Sequence, residues 1–363
     1  MRRLVPPLLL LPALLAACSI DRPVASDDAR FDVHVDSSGA DTATTTALRL
    51  AAFASLPNRG ARRPLNYSRV STNPTLLQFV TRVSVIDPWA IAVTAGGTAV
   101  VSNLTNATVT FINVPAAQVL GMAPTGDIPT DIALTSDGST AFVASQDGTI
   151  TVLDVNTRQV LRTLAVPATT FFSVAVSATN GALYAGTAFG DVYQLDPQTG
   201  AVLRQANIGS AVNGLAVNAA GSRVYATNMF GGTLVELDAT TLTTTRPLLV
   251  IGGVTQDVVV SPAGDRAFVA NEAGFITDVN LATGAMVNIP TAGGAFGLVT
   301  PPSFALVGVI GPTLGYQVYQ VTPPQLRRPF AQIPFSVRRG AFHASTRWIG
   351  ITSPGTGTVD FFR

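Results

Sequence analysis

Lysine is absent from the 363 residues, so every basic side chain is an arginine. That bias points to a GC-rich genome and carries no mechanism. Glutamate is almost absent too, with only Glu236 and Glu272. The 22 basic and 21 acidic residues nearly cancel, so no bulk charge steers the chain towards nucleic acid. A single cysteine, Cys18, excludes a disulfide framework. The two histidines, His34 and His343, lie far apart in sequence, which leaves either one as a general base without a visible partner. No P-loop, dinucleotide fingerprint, HExxH or GxSxG motif occurs, and no D-x-D-x-D-G calcium loop. Neither a cofactor nor a metal ion is therefore expected. Charged residues make up only 12% and hydrophobic ones 47%. A chain this apolar needs an architecture that buries most of its segments on both faces.

The N-terminus is an address and is set aside before the fold is considered. "MRRLVPPLLLLPALLAAC" starts with Arg2 and Arg3 and continues with an apolar stretch from Leu4 to Leu15. A bilayer-spanning helix needs about 20 apolar residues, and this stretch is too short. It ends in "LAAC", small residues before Cys18. That ending resembles the lipobox of bacterial lipoproteins. The resemblance implies removal of residues 1–17 and acylation of Cys18; a plain cleaved leader with a chance cysteine is the alternative. Ser19, in place of aspartate, leans towards the outer membrane in the same pattern. Residues 18–74 are expected to form the lipidated cysteine and a tether. The tether's "RFDVHVD" alternates like a short strand, and its "SSGADTATTT" is small and polar like a flexible linker.

From residue 75 the chain repeats itself. The first apolar run of each unit can be aligned at Ile91, Ile132, Val174, Leu215, Val258, Leu298 and Phe342, at spacings of 40 to 44 residues. A fixed period of this size signals a repeat architecture. Each unit has a short apolar run ("DIALT", "GLAVN"), a Gly turn ("SDGS", "AAGS"), a second run ("AFVAS", "VYATN"), another Gly turn, a third run ("ITVLD", "LVELD") and a looser fourth segment. Glycine supplies positive φ in such turns. The pattern predicts four antiparallel strands per unit. Repetition of such a unit at this period predicts an all-β, seven-bladed β-propeller over residues 75–363. The last unit ends after "TVDFF" without a fourth strand, and "LLQFVTRVSVID" precedes the first unit without partners. The N-terminal strand is therefore expected to complete the seventh blade and close the ring. Second strands reading "YATN", "FVAN", "FVAS" and "VVSN", followed by the "LD" run, resemble the YVTN repeat family of propellers (YncE-like). That resemblance speaks for the fold and says little about a reaction. Two tryptophans, Trp89 and Trp348, are too few for the aromatic repeat of a quinone-binding propeller.

Third runs end at Asn113, Asp154, Asp196, Asp238 and Asn280. Equivalent positions on different blades cannot converge on one ion, so these are expected to cap their own turns. Asp131, Ser173, Asn213 and Asp257 stand at or just before first strands and are expected to face the central axis. The two aspartates could hold a cation or polar ligand, or they could simply be hydrated residues at strand starts. The unit from Leu298 breaks the grammar with Pro301-Pro302, Pro323-Pro324 and the pairs Arg327-Arg328 and Arg338-Arg339. These arginines read either as a positively charged docking edge or as a guarded outer strand. The expected function is a monomeric, lipid-anchored cell-envelope module that binds a protein or glycan without catalysis. The alternative is a lactonase- or lyase-type enzyme at the central mouth.

Overall fold

The structure, a computed structural model, describes residues 79–166, 169–301, 306–311, 315–320, 325–331 and 337–363. The expected leader, Cys18, the tether, His34 and both proline pairs except Pro301 lie outside these residues. The described chain forms seven four-stranded antiparallel sheets. The first three blades run Pro88–Val93 to Gln118–Pro124, Pro129–Leu134 to Gln159–Ala165, and Phe171–Val176 to Val202–Asn207. Blades four to six begin with the inner strands Val212–Val217, Thr255–Val260 and Gly297–Val299. Blade seven pairs Gly340–His343, Trp348–Ser353 and Thr358–Phe362 with the N-terminal strand Phe79–Ser84 as its outermost member. The described residues thus form the all-β, seven-bladed propeller expected from the repeat, closed by its N-terminal strand.

Closure is chemically specific. Arg82 lies opposite Asp360 in the ladder and donates from Nε to Oδ1 at 2.5 Å and from Nη2 to Oδ2 at 2.8 Å. The Asp360 side chain is fully buried, so this two-pronged bond satisfies a carboxylate that water cannot reach. Phe79 meets Phe362 edge-on at 5.8 Å.

The core is divided among blade interfaces. One buried cluster joins blades one and two through Val100, Phe111, Ile132 and Val143. The next joins blades two and three through Phe142, Ile150, Phe171 and Leu183. The series continues round the ring to a cluster of Val83, Ile91, Val359 and Phe361 between blades seven and one. Each sheet thus buries both faces against copies of itself, which explains the apolar composition and the refrain. Among the described residues no helix is long and apolar enough to cross a membrane.

The turns follow their chemistry. Asp154 Oδ1 accepts the Thr157 amide at 2.8 Å, Asp196 Oδ1 those of Gln198 and Thr199, and Asp238 Oδ1 those of Thr240 and Thr241. Asn113 and Asn280 do the same. These bonds hold the three aspartates below the usual carboxylate range. Gly148 sits at φ +83°, and a Cβ there would lie 2.7 Å from the Thr169 carbonyl oxygen. Two elements depart from the sequence pattern. Blade four's outer strand is only Leu249–Val250; Pro247, without an amide hydrogen, precedes it, and the Arg246 side chain bonds the Leu281 carbonyl and pairs with Glu236. The reference position of blade seven is Gly340, not Phe342. Gly340 pairs with Ile351 as Leu215 pairs with Ala226, and it stands 42 residues after Leu298.

Candidate functional site at the channel mouth

That register places the Arg338-Arg339 pair at the start of blade seven's inner strand instead of in the irregular sixth unit. Three bonds fix the equivalence. The amides of Ala90, Gly214 and Arg339 each donate to a hydroxyl on the second strand of their own blade, those of Ser102, Thr227 and Thr352, at 2.9, 2.8 and 3.1 Å. Round the ring, the ladder registers give one position to Ala90, Asp131, Ser173, Gly214, Asp257, Gly297 and Arg339. The residues just before them are Trp89, Thr130, Phe172, Asn213, Gln256, Phe296 and Arg338.

The two aspartates on this ring do identical work. Asp131 accepts its neighbour's Ile132 amide on Oδ1 and the Val174 amide of blade three on Oδ2, both at 2.9 Å. Asp257 accepts the Val258 amide and the Leu298 amide of blade six, again both at 2.9 Å. Ser173 Oγ donates to the Val212 carbonyl of blade four at 2.7 Å. These side chains staple consecutive inner strands together. Both oxygens of each aspartate are thus engaged by backbone amides, while the side chains stay partly exposed at the strand starts.

Arg339 crosses the axis. Its Nη1 donates to the Phe296 carbonyl of blade six at 2.5 Å, and its Nη2 to the Asn213 carbonyl of blade four at 3.4 Å. Nη1 also stands 3.4 Å from Asp257 Oδ2 of blade five. Burial pushes Asp131 up to about 6, and the Arg339 charge is the main influence holding it from rising further. One guanidinium thus links blade seven to blades four, five and six and acts on blade two.

Arg338 lies beside this plug, almost fully buried. Its guanidinium carbon is 4.7 Å from the Trp89 ring centroid and 5.3 Å from that of Phe296, the equivalent side chains of the two flanking blades. Burial lowers it to about 10, aided by the neighbouring Arg339 charge and opposed by Glu272. Gln256, also buried, accepts from Asn213 at 2.5 Å and donates to Glu272 Oε1. Burial pushes Glu272 up to about 7, against the pull of the Gln256 bond and the Arg338 charge.

The structure therefore brings Asp131, Asn213, Asp257 and Arg339 to one place, with Arg338 beside them. Arg327 and Arg328 are on a different element, the outer strand Gln325–Ala331 of blade six. The four arginines do not form one docking edge. Sequence reasoning overlooked Trp89, Gln256, Glu272 and Phe296 as mouth residues. Gln256 could have been found, because it directly precedes Asp257, a position already identified. Among the described residues no group of three metal-ligating side chains gathers. His343 is buried in blade seven, its Nδ1 2.8 Å from Thr346 Oγ1, with no acid of the mouth beside it among its bonds.

The family model described as outer membrane protein assembly factor BamB matches residues 71–289, more than half of the chain. The chain belongs to this family. No curated protein matches the sequence. Two solved structures share the fold. Hydrazine synthase of Kuenenia stuttgartiensis is 13% identical with a TM-score of 0.68, covering 78% of this chain and 97% of its own. The Cps50 (Swd1) β-propeller domain of Myceliophteria thermophila is 11% identical with a TM-score of 0.67, covering 79% and 99%. At these identities the likeness is one of fold alone.

Proposed function

We propose that this protein is a lipid-anchored, non-enzymatic propeller of the bacterial cell envelope that holds a protein or glycan partner. The observation that carries the reading is the state of the channel: its ring aspartates and Arg339 are consumed in bonds between blades. An active site needs acids and bases free to meet a substrate. Membership of the outer membrane assembly family supports an envelope role and a protein partner. The "LAAC" ending supports an anchor at Cys18 on a tether of residues 18–74, and Ser19 supports the outer membrane. Within the propeller family the repeat runs favour a YVTN-like, YncE-like branch.

The enzyme reading rests on one specific observation, Glu272. A carboxyl raised to about 7 beside Gln256 and Arg338 suits proton transfer near neutral pH. It would make the mouth a lyase- or lactonase-type site, and Glu272→Gln would then abolish turnover of a lactone or uronate panel.

The test of the preferred reading is cell fractionation with a high-salt wash. Wild-type protein stays in the membrane fraction, and Cys18→Ser is released into the wash, because acyl chains partition independently of salt. Retention of Cys18→Ser through the wash places the anchor elsewhere and overturns the reading.

A further inference from the structure

We propose that the peptide bond between Asp87 and Pro88 is a self-cleavage site, at which the Asp87 carboxyl cuts its own chain. The two residues join the closing strand Phe79–Ser84 to blade one's inner strand Pro88–Val93. Backbone shape, a carbonyl donor and a carboxyl meet there. A following proline pushes a residue towards extended backbone, yet Asp87 sits at φ +40°. Backbone held in so sparsely populated a region is strained, and breaking the bond releases that strain. The Leu104 amide donates to the Asp87 carbonyl oxygen at 3.0 Å, where negative charge gathers as the carbonyl is attacked. The Asp87 carboxyl is half-buried. Burial raises it and a Thr105 hydrogen bond opposes this in part, with no charged side chain of the described residues among the influences on it. In mild acid more of it is neutral than of an ordinary aspartate.

The chemistry closes on these atoms. A side-chain carboxyl oxygen attacks the Asp87 carbonyl carbon and forms a cyclic anhydride, an intramolecular step of high effective molarity. The carboxyl proton passes to the Pro88 nitrogen, the C–N bond breaks, and proline leaves as a secondary amine. Water then opens the anhydride, so the net change is hydrolysis of one peptide bond, with no oxidant or further reactant. Two other sites in the chain separate the ingredients. Ile128 precedes Pro129 at φ +56° and its carbonyl accepts the Gln146 amide at 3.1 Å, but it has no carboxyl. Asp196 precedes Pro197, but the Gln198 and Thr199 amides bind its carboxyl and hold it below the usual range. Of the two Asp-Pro pairs in the chain, only Asp87-Pro88 combines positive φ with a raised carboxyl. The cut leaves the closing strand in blade seven as a separate peptide, still paired with Thr358–Phe362 and bonded through Arg82 to Asp360. On the anchor reading that strand becomes a noncovalent tie between propeller and lipid; the cut itself does not depend on the anchor.

The experiment holds the purified, folded full chain at about pH 5 and about pH 8 and follows its mass under denaturing conditions. The expected products end at Asp87 and begin at Pro88, and they accumulate faster in the acid sample. The Asp87-Pro88 bond is cut at least about tenfold faster than the Asp196-Pro197 bond, since a carboxyl one unit lower is about tenfold less protonated in this range. In urea the preference vanishes, because the strain and the carbonyl donor are lost. The Ile128-Pro129 bond stays whole throughout. Asp87→Asn, which keeps the shape and removes the acid, abolishes the products at an unchanged thermal midpoint. If that variant unfolds, Pro88→Ala is read in the same way, since alanine nitrogen is the poorer leaving group. No cut in folded wild type, equal cutting of the two Asp-Pro bonds, or products that persist in Asp87→Asn overturns the proposal. Absence of acyl label on wild-type Cys18 would sink the anchor reading while leaving a positive cleavage result standing.

Discussion

Glu272 and Asp131 carry the molecule's pH dependence. An unfolded glutamate titrates near 4.5, and burial raises Glu272 to about 7 in the folded protein. The folded state therefore holds this proton more tightly than the unfolded state does. Stability is fully present below the unfolded value and declines as pH rises through the folded one. Asp131, raised from 3.8 to about 6, acts in the same direction in a lower window. The turn aspartates act oppositely but only in stronger acid, because their values are depressed. Thermal midpoints should thus fall between about pH 4 and about pH 7, at a slope of up to about 1.4 kcal/mol per pH unit for each titrating group, and level off above that. Glu272→Gln should remove the upper part of that slope. A midpoint that rises over this interval would show that the mouth carboxyls are not buried as described. At this scale the sequence was only half legible. Asp131 and Asp257 could be placed near the axis from their spacing, but their bonds to Val174 and Leu298 depend on the neighbouring blade, which spacing along one unit does not reveal.

Among the elements, the blades were the most legible part, because each strand and turn is specified locally. Gly turns, Asx caps and apolar runs recur within one unit and need no long-range partner to be recognised. The closing strand was legible for a different reason: the last unit lacks an outer strand and the first has one too many. Blade seven's inner strand was misplaced by two residues. Its "RRGAF" has none of the apolar run that marks the other blades, so Phe342 was the only anchor in view. Blade four's two-residue outer strand was overlooked although Pro247, which cannot donate to a ladder, stands just before it in the sequence. Deleting residues 76–86 should be costly. It removes Arg82 and leaves Asp360 buried without that partner, a situation that costs about 3–5 kcal/mol, and it exposes the Thr358–Phe362 edge as well. Truncating residues 19–60 should leave the midpoint nearly unchanged. Comparison of the two thermal midpoints decides the matter, and equal values would contradict ring closure by the N-terminal strand.

For the whole molecule, seven interfaces each hold a separate apolar cluster, and the axis is crossed by one guanidinium that bonds or pairs with three blades. This guanidinium ties those blades together at the axis. The arginine edge expected from the sixth unit is replaced by one pair on the outer strand Gln325–Ala331 and one pair at the start of blade seven's inner strand. The account turns on whether Arg339 is structural. Arg339→Met leaves Asp257 without its cation, at a cost of about 2 kcal/mol for a partly buried pair. The deciding measurement is crosslinked capture from intact envelopes with wild-type and Arg339→Met protein, each with its thermal midpoint. The account predicts that Arg339→Met melts several degrees lower yet captures the same envelope partner with the same yield below its transition. An Arg339→Met protein that melts with wild type but loses the partner would make the channel mouth the working site and contradict it.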